Sequence, residues 1–222
     1  MRVRRIITLL SAVAACAVIA PVPADAEVIA IPRCTGALAC EIVDTPPNPV
    51  TPDPNNGRLL VWNEVQNVFL EEDLVLDRVA DPGSPFVKQL DNGDYAVRAG
   101  TLVSSHYLQW DPSYDSSSFV TATIKLDAPV FGFIIDDEKL FASDAALGLP
   151  GLDYNDFWLR GLEYEDWTSM RDDEVEINWS AGSPGDWTRL ITAGALIGLA
   201  PDAGIAPHAR RLPHAASLLA RP

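Results

Sequence analysis

Between Leu59 and Thr192 the chain is divided into short runs of strand-forming residues, and Gly, Pro and Asn stand at the breaks. The clearest run is Phe119 to Leu126. Val120, Ala122, Ile124 and Leu126 fall on one side, and Thr121, Thr123 and Lys125 on the other. A period of two is that of a pleated strand with one face buried. Val130 to Ile135 is apolar throughout, as expected of a strand covered on both faces. Leu59–Val65, Leu74–Val79, Tyr95–Arg98, Thr101–Trp110, Val175–Trp179 and Trp187–Thr192 have similar composition, rich in residues that suit a pleated surface. Asp81-Pro82-Gly83, Asp91-Asn92-Gly93-Asp94 and Asp111-Pro112 punctuate them. Asn-Gly accepts the positive φ angles of tight hairpins.

One stretch has a helical signature. Asp136 is placed to cap a helix running to Leu147, with Leu140, Phe141 and Ala145 as its apolar stripe. Many short strands with turn signals and a single short helix, at about 136–147, define an all-β chain. The expected architecture is a β-sandwich of jelly-roll type.

The ends differ from this middle. Met1-Arg2-Val3-Arg4-Arg5 is basic, Ile6 to Ala20 is apolar, and Pro21 to Ala26 ends in small residues fitting an A-x-A cleavage site. This reads as a signal peptide of residues 1–26, cut before Glu27. It is too short for a comfortable membrane span, which takes about 20 apolar residues. Val13-Ala14-Ala15-Cys16 resembles a lipidation box, but apolar residues 17–20 follow where a polar tether is usual. The expected location is secreted, periplasmic or cell-surface. Cys34 and Cys40 are then expected to form a local disulfide. Residues 27–57 read as a Cys loop followed by a tether, because residues 45–57 carry five prolines. The folded unit is expected over 58–192, and the Ala- and Pro-rich tail 193–222 is expected to be disordered.

The chain has 16 Lys+Arg against 31 Asp+Glu. Removing the signal peptide leaves 13 against 30. A surface this acidic repels nucleic-acid phosphates and anionic lipid head groups, so neither is expected as a partner. Polysaccharide or other surface proteins are the partners it leaves open.

An ordered series of segments carries a resemblance: Trp62-Asn63-Glu64-Val65-Gln66-Asn67, Gly100 to Tyr107 with Asp111-Pro112, Val130 to Ile134, Arg160-Gly161-Leu162-Glu163, and Ser183 to Thr192. Over about residues 58–192 it is similar to uncharacterised exported bacterial proteins of the PEP-CTERM-associated type. The resemblance implies an exported location and a fold type, and carries no activity. The sorting tail is not matched, since Leu199-Ala200-Pro201-Asp202 stands where an unbroken apolar helix would begin.

Three constellations bear on chemistry. His106 lies beside Ser104 and Ser105, but strand neighbours point to opposite faces and there is no G-x-S-x-G elbow. A structural histidine is expected, and no catalytic residue is assigned. Carboxylates cluster at Glu71–Asp73, Asp136–Glu138, Asp153 with Asn155 and Asp156, Glu163 with Glu165 and Asp166, and Asp172–Glu174. Asp153, Asn155 and Asp156 are spaced to wrap a cation, and Ca²⁺ is the ion such oxygens suit. No other cofactor is implied. Trp158 and Trp167, with Tyr154, lie in acidic loop-like surroundings and could stack on sugar faces, whereas Trp179 and Trp187 sit on strands and read as core. The leading expectation is a non-catalytic extracellular interaction or surface-matrix domain. A Ca²⁺-assisted carbohydrate-binding module is the alternative, and an extracellular hydrolase drawing on paired carboxylates is the third reading.

Overall fold

The computed structural model describes residues 25–52, 57–112, 118–155, 160–163, 165–182 and 184–195. Residues 1–24 of the expected signal peptide 1–26, Asp156, Trp158 and the part of the expected tail beyond residue 195 lie outside them. The chain forms a β-sandwich. One sheet has four strands in the order β1 (Val28–Thr35), β10 (Ser118–Leu126), β13 (Glu174–Ala181), β12 (Trp167–Arg171). The facing sheet runs β2 (Ala39–Ile42), β3 (Arg58–Asn63), β9 (Leu102–Trp110), β14 (Asp186–Ala193), β11 (Val130–Ile134), β6 (Arg78–Val79), with β4 (Val68–Phe69) also paired to β9. A small third sheet joins β5 (Leu74–Leu76), β8 (Tyr95–Val97) and β7 (Val87–Gln89). From β9 to β10, β10 to β11, β11 to β12 and β13 to β14 the chain passes from one main sheet to the other. This is the alternation of a jelly-roll type sandwich.

The packing has three layers. Val120, Ala122, Ile124 and Leu126 on β10, with Val175, Ile177 and Trp179 on β13, meet Leu59, Val61, Leu108, Trp110, Phe133 and Leu190 of the larger sheet. The opposite face of that sheet presents Leu60, Trp62, Tyr107, Trp187 and Ile191 to α1 (Asp137–Leu147), the small sheet and the segment around Tyr154. β9 and β14 are therefore covered on both sides, and Val103 to Trp110 and Asp186 to Ala193 are buried throughout. All five residues of β11 are buried as well, matching the unbroken apolar run. The alternation of β10 and β13 is also visible: apart from Thr123, which is buried, their other sides face solvent or are partly covered.

Asp136 caps α1, its carboxylate accepting from the Lys139 N–H at 3.1 Å. The buried face differs from the expected stripe. Leu140, Ser143 and Leu147 are inside, while Phe141 is 61% exposed and Ala145 is exposed. The reason is that two polar residues on the inner side, Ser143 and Asp144, bind buried arginines, and a hydrophobic stripe cannot reveal them. At the Asn92-Gly93 hairpin only Gly93 takes a positive φ, +96°, and the Asn92 carboxamide accepts from the Asp94 N–H at 3.1 Å.

The described part of the lead-in, residues 27–52, is built into the fold, and the stretch from 45 to 52 is not a free tether. β1 pairs antiparallel with β10 from Val28 to Thr35, and β2 pairs parallel with β3. The Cys34–Cys40 disulfide links these two strands, and so the two main sheets. The proline-rich segment is docked: Val50 is fully buried, and its N–H donates to the Asp153 carbonyl at 2.8 Å. β1 escaped the strand reading because it is an edge strand containing Pro32, with two register shifts that break its alternation. Leu74–Val79, expected as one strand, is split between the small sheet and the edge of the larger one. A chain starting at Val43 would lack both strands and bare the β10 edge above its apolar row. We expect it to lose the cooperative thermal transition of the full domain; a melting curve unchanged by the deletion would restore the tether reading.

Candidate functional site

Four charged side chains lie between α1 and the larger sheet. The side chains of Arg189, on β14, and Glu64, just after β3, are both 0% exposed. The guanidinium grips the carboxylate in two places, Nε to Oε2 at 2.7 Å and Nη2 to Oε1 at 2.8 Å. Its remaining N–H groups reach Asp144 Oδ1 at 2.9 Å, Ser143 Oγ at 2.5 Å and the Leu140 carbonyl at 3.2 Å. All five donors of the fork are thereby used. Glu64 also accepts from the hydroxyls of Ser105 and Tyr154. Arg160 forms a second fork onto Asp144, at 2.7 and 2.9 Å, and donates from Nε to the Tyr107 hydroxyl at 3.3 Å. The Tyr107 and Tyr154 rings lie beside both guanidinium groups, each 5.4 Å from Arg189 Cζ. Burial pushes the Tyr107 phenol up to about 12 and raises that of Tyr154. Two cations face two anions, with every N–H of the Arg189 guanidinium and both Glu64 oxygens paired, which is the chemistry of a structural lock.

A second group is differently composed. Glu163 and Asp166, from the connection leading into β12, converge on Asp186 at the start of β14. One oxygen from each lies within 4.8 Å of the others. Glycines set the approach. Gly185 has φ +91°, and a Cβ there would sit 2.3 Å from the Trp110 carbonyl oxygen; Gly161, at φ +133°, would meet the Ile135 oxygen at 2.3 Å. Asp166 accepts from the Ser180 and Glu163 N–H groups at 2.7 and 3.0 Å. Asp186 is 0% exposed and neither of its carboxylate oxygens has a hydrogen-bond donor. Burial first, then the charges of Asp166 and Glu163, pushes it up to about 9; burial also lifts Asp166 to about 6.

The residues singled out from sequence are dispersed. Asp153 Oδ1 accepts from the Asn155 N–H at 2.9 Å, a local turn, and Asp156 lies outside the described residues. Tyr154 is 6% exposed and committed to Glu64, so its ring is part of the core. Trp179 and Trp187 are fully buried, as expected. Trp167 is 51% exposed, on the outer face of the four-stranded sheet. It pairs with Asn178, which pairs with Thr121. Phe119, 62% exposed, shares that face opposite Ser180. His106 is wholly buried, with Nδ1 2.8 Å from Asn63 Oδ1 and Nε2 3.1 Å from Thr192 Oγ1. Neither neighbouring serine is its partner, in accord with a structural histidine. No family model, curated protein or solved structure matches the chain.

Burial depresses His106 to about 3, against about 6.5 in an unfolded chain. The unfolded state takes up this proton first, so the stability the neutral ring contributes is complete above about pH 6.5 and is lost as pH falls toward 3. Between those limits one such group adds a slope of up to about 1.4 kcal/mol per pH unit. Urea unfolding from pH 7 to 4.5 should show a shallower pH dependence for His106→Gln than for the wild type. Parallel curves would contradict the neutral buried ring.

Proposed function

We propose that the chain is an exported, non-catalytic interaction domain whose outer sheet face binds its ligand. The observation that carries this reading is the pair of exposed rings, Trp167 and Phe119, on a face where Thr121, Asn178 and Ser180 lie beside them and Glu174, Glu176, Lys125 and Arg171 lie further along the strands. The rings stand two strands apart and two residues out of step, about 12 Å at the backbone from ordinary sheet spacings. Flat aromatic faces at that separation, flanked by hydroxyl and amide groups, suit stacking on successive sugar rings of a polysaccharide. The buried charges of Glu64, Arg189, Asp144 and Arg160 are committed to one another in holding α1 on the larger sheet, which supports a scaffold role for that layer.

Export is supported by the signal-like N-terminus and by the disulfide. Among the described residues no helix is long and apolar enough to cross a membrane. Cleavage before Glu27 would place the new α-ammonium where the Glu27 N–H now donates to Asp127 Oδ1 at 2.6 Å, turning a hydrogen bond into an ion pair. The likeness to exported proteins of the PEP-CTERM-associated type points the same way.

Protein recovered from the culture medium should begin at Glu27 and co-sediment with insoluble polysaccharide. Trp167→Ala and Phe119→Ala should each weaken that binding roughly tenfold or more, as loss of a central aromatic anchor does. Undiminished binding by both variants would remove this face from the account.

A further inference from the structure

We infer that Glu163, Asp166 and Asp186 form a binding site for a hard divalent cation, Ca²⁺ above all. Two oxygens bound to one Ca²⁺ at about 2.4 Å can be at most about 4.8 Å apart. The three carboxylates already meet that limit pairwise. All the converging donors are oxygens, with no imidazole or thiolate among them, which selects Ca²⁺ or Mg²⁺ over softer metals.

Asp186 is the observation that demands a ligand. It is fully buried, neither of its oxygens has a hydrogen-bond donor, and the groups it faces are two more carboxylates. A buried carboxyl group so placed is costly unless something compensates it. Arg78 is the neighbouring cation, and its charge acts on Asp186, yet its hydrogen bonds go to the main-chain carbonyls of Asp166 (2.5 Å) and Glu163 (3.1 Å) and to Thr168 Oγ1 (2.9 Å) and not to the Asp186 carboxylate. With all three carboxylates ionised around one guanidinium the local charge would be two negatives, which a divalent ion would balance. Glu163 is exposed and lines a cleft of about 420 Å³ with Asp136, Asp137 and Pro184. The ion therefore has an entry path and room for the waters that complete six to eight ligands.

The position gives the ion a role. Asp186 belongs to the larger sheet, while Asp166 leads directly into β12 and is tied to β13 through the Ser180 N–H. A cation here would fasten the two sheets at the end where β13 passes to β14. The inference is independent of the ligand proposed for the outer face, and differs in place from the Asp153–Asp156 spacing.

The test uses the mature chain and Ca²⁺ alone. The thermal midpoint should rise with millimolar Ca²⁺ and return with EDTA, because an ion that binds only the folded state stabilises it by mass action. Titration calorimetry should give one site. Glu163→Gln, at an exposed position, should weaken Ca²⁺ at least about tenfold through the lost ligand charge. Asp186→Asn should abolish the Ca²⁺ response while melting above the wild type in EDTA, since it relieves like-charge crowding. Asp153→Asn should leave the response intact. A Ca²⁺ response that survives Glu163→Gln and Asp186→Asn, one removed by Asp153→Asn alone, or no binding at millimolar Ca²⁺ would overturn the site.

Discussion

The Glu64–Arg189 pair is the constraint around which the rest of this sandwich is arranged. Removing two charges from water is expensive, and their attraction offsets the cost only where geometry is good and other hydrogen bonds fill the remaining positions. Here both conditions are met: five donors of Arg189 and four contacts to Glu64 are in place. The contacts come from β14, the end of β3, α1, β9 and the segment carrying Tyr154. A helix with polar residues on its inner face could not dock on a sheet by apolar burial alone. Asp144 and Ser143 make it dock in one position, because only there do the guanidinium groups find them.

This arrangement explains what could and could not be read from the sequence. The alternation of β10, the apolar run of β11, the Asp136 cap and the core placement of Trp179 and Trp187 are all local properties, set by neighbours within a few residues. They were legible for that reason. The lock was not, since Glu64 and Arg189 stand 125 residues apart and a charged residue on a strand reads as an outward one. β12 was missed because an edge strand with a half-exposed Trp-Thr-Ser-Met-Arg pattern resembles a loop. β1 and β2 were hidden by prolines and by the disulfide loop between them.

The candidate cation site shows the same division. Glu163 and Asp166 were visible as an acidic cluster, three residues apart. Asp186 was not associated with them, because the β12–β13 hairpin and the crossover to β14 intervene before the chain returns. Of the rings considered for stacking, Trp167 is on an open face, while Tyr154 is drawn into the core by Glu64. Local composition marked both alike; only the hydroxyl contact separates them.

On the proposed reading, stability and recognition occupy different layers. The charged lock and the second core lie between the larger sheet and α1, and the exposed rings lie on the far side of the four-stranded sheet. Carboxylates at the sheet junction sit between the two. Such a separation lets the outer face vary without disturbing the elements that fix the fold.

The most direct measurement is a double-mutant cycle by urea unfolding with Glu64→Leu, Arg189→Met and the pair together. Each single change should cost about 3–5 kcal/mol by stranding a buried charge, and the double variant should recover much of that loss. Single changes that each cost under about 1 kcal/mol, and that simply add, would show that the fold does not rest on this pair.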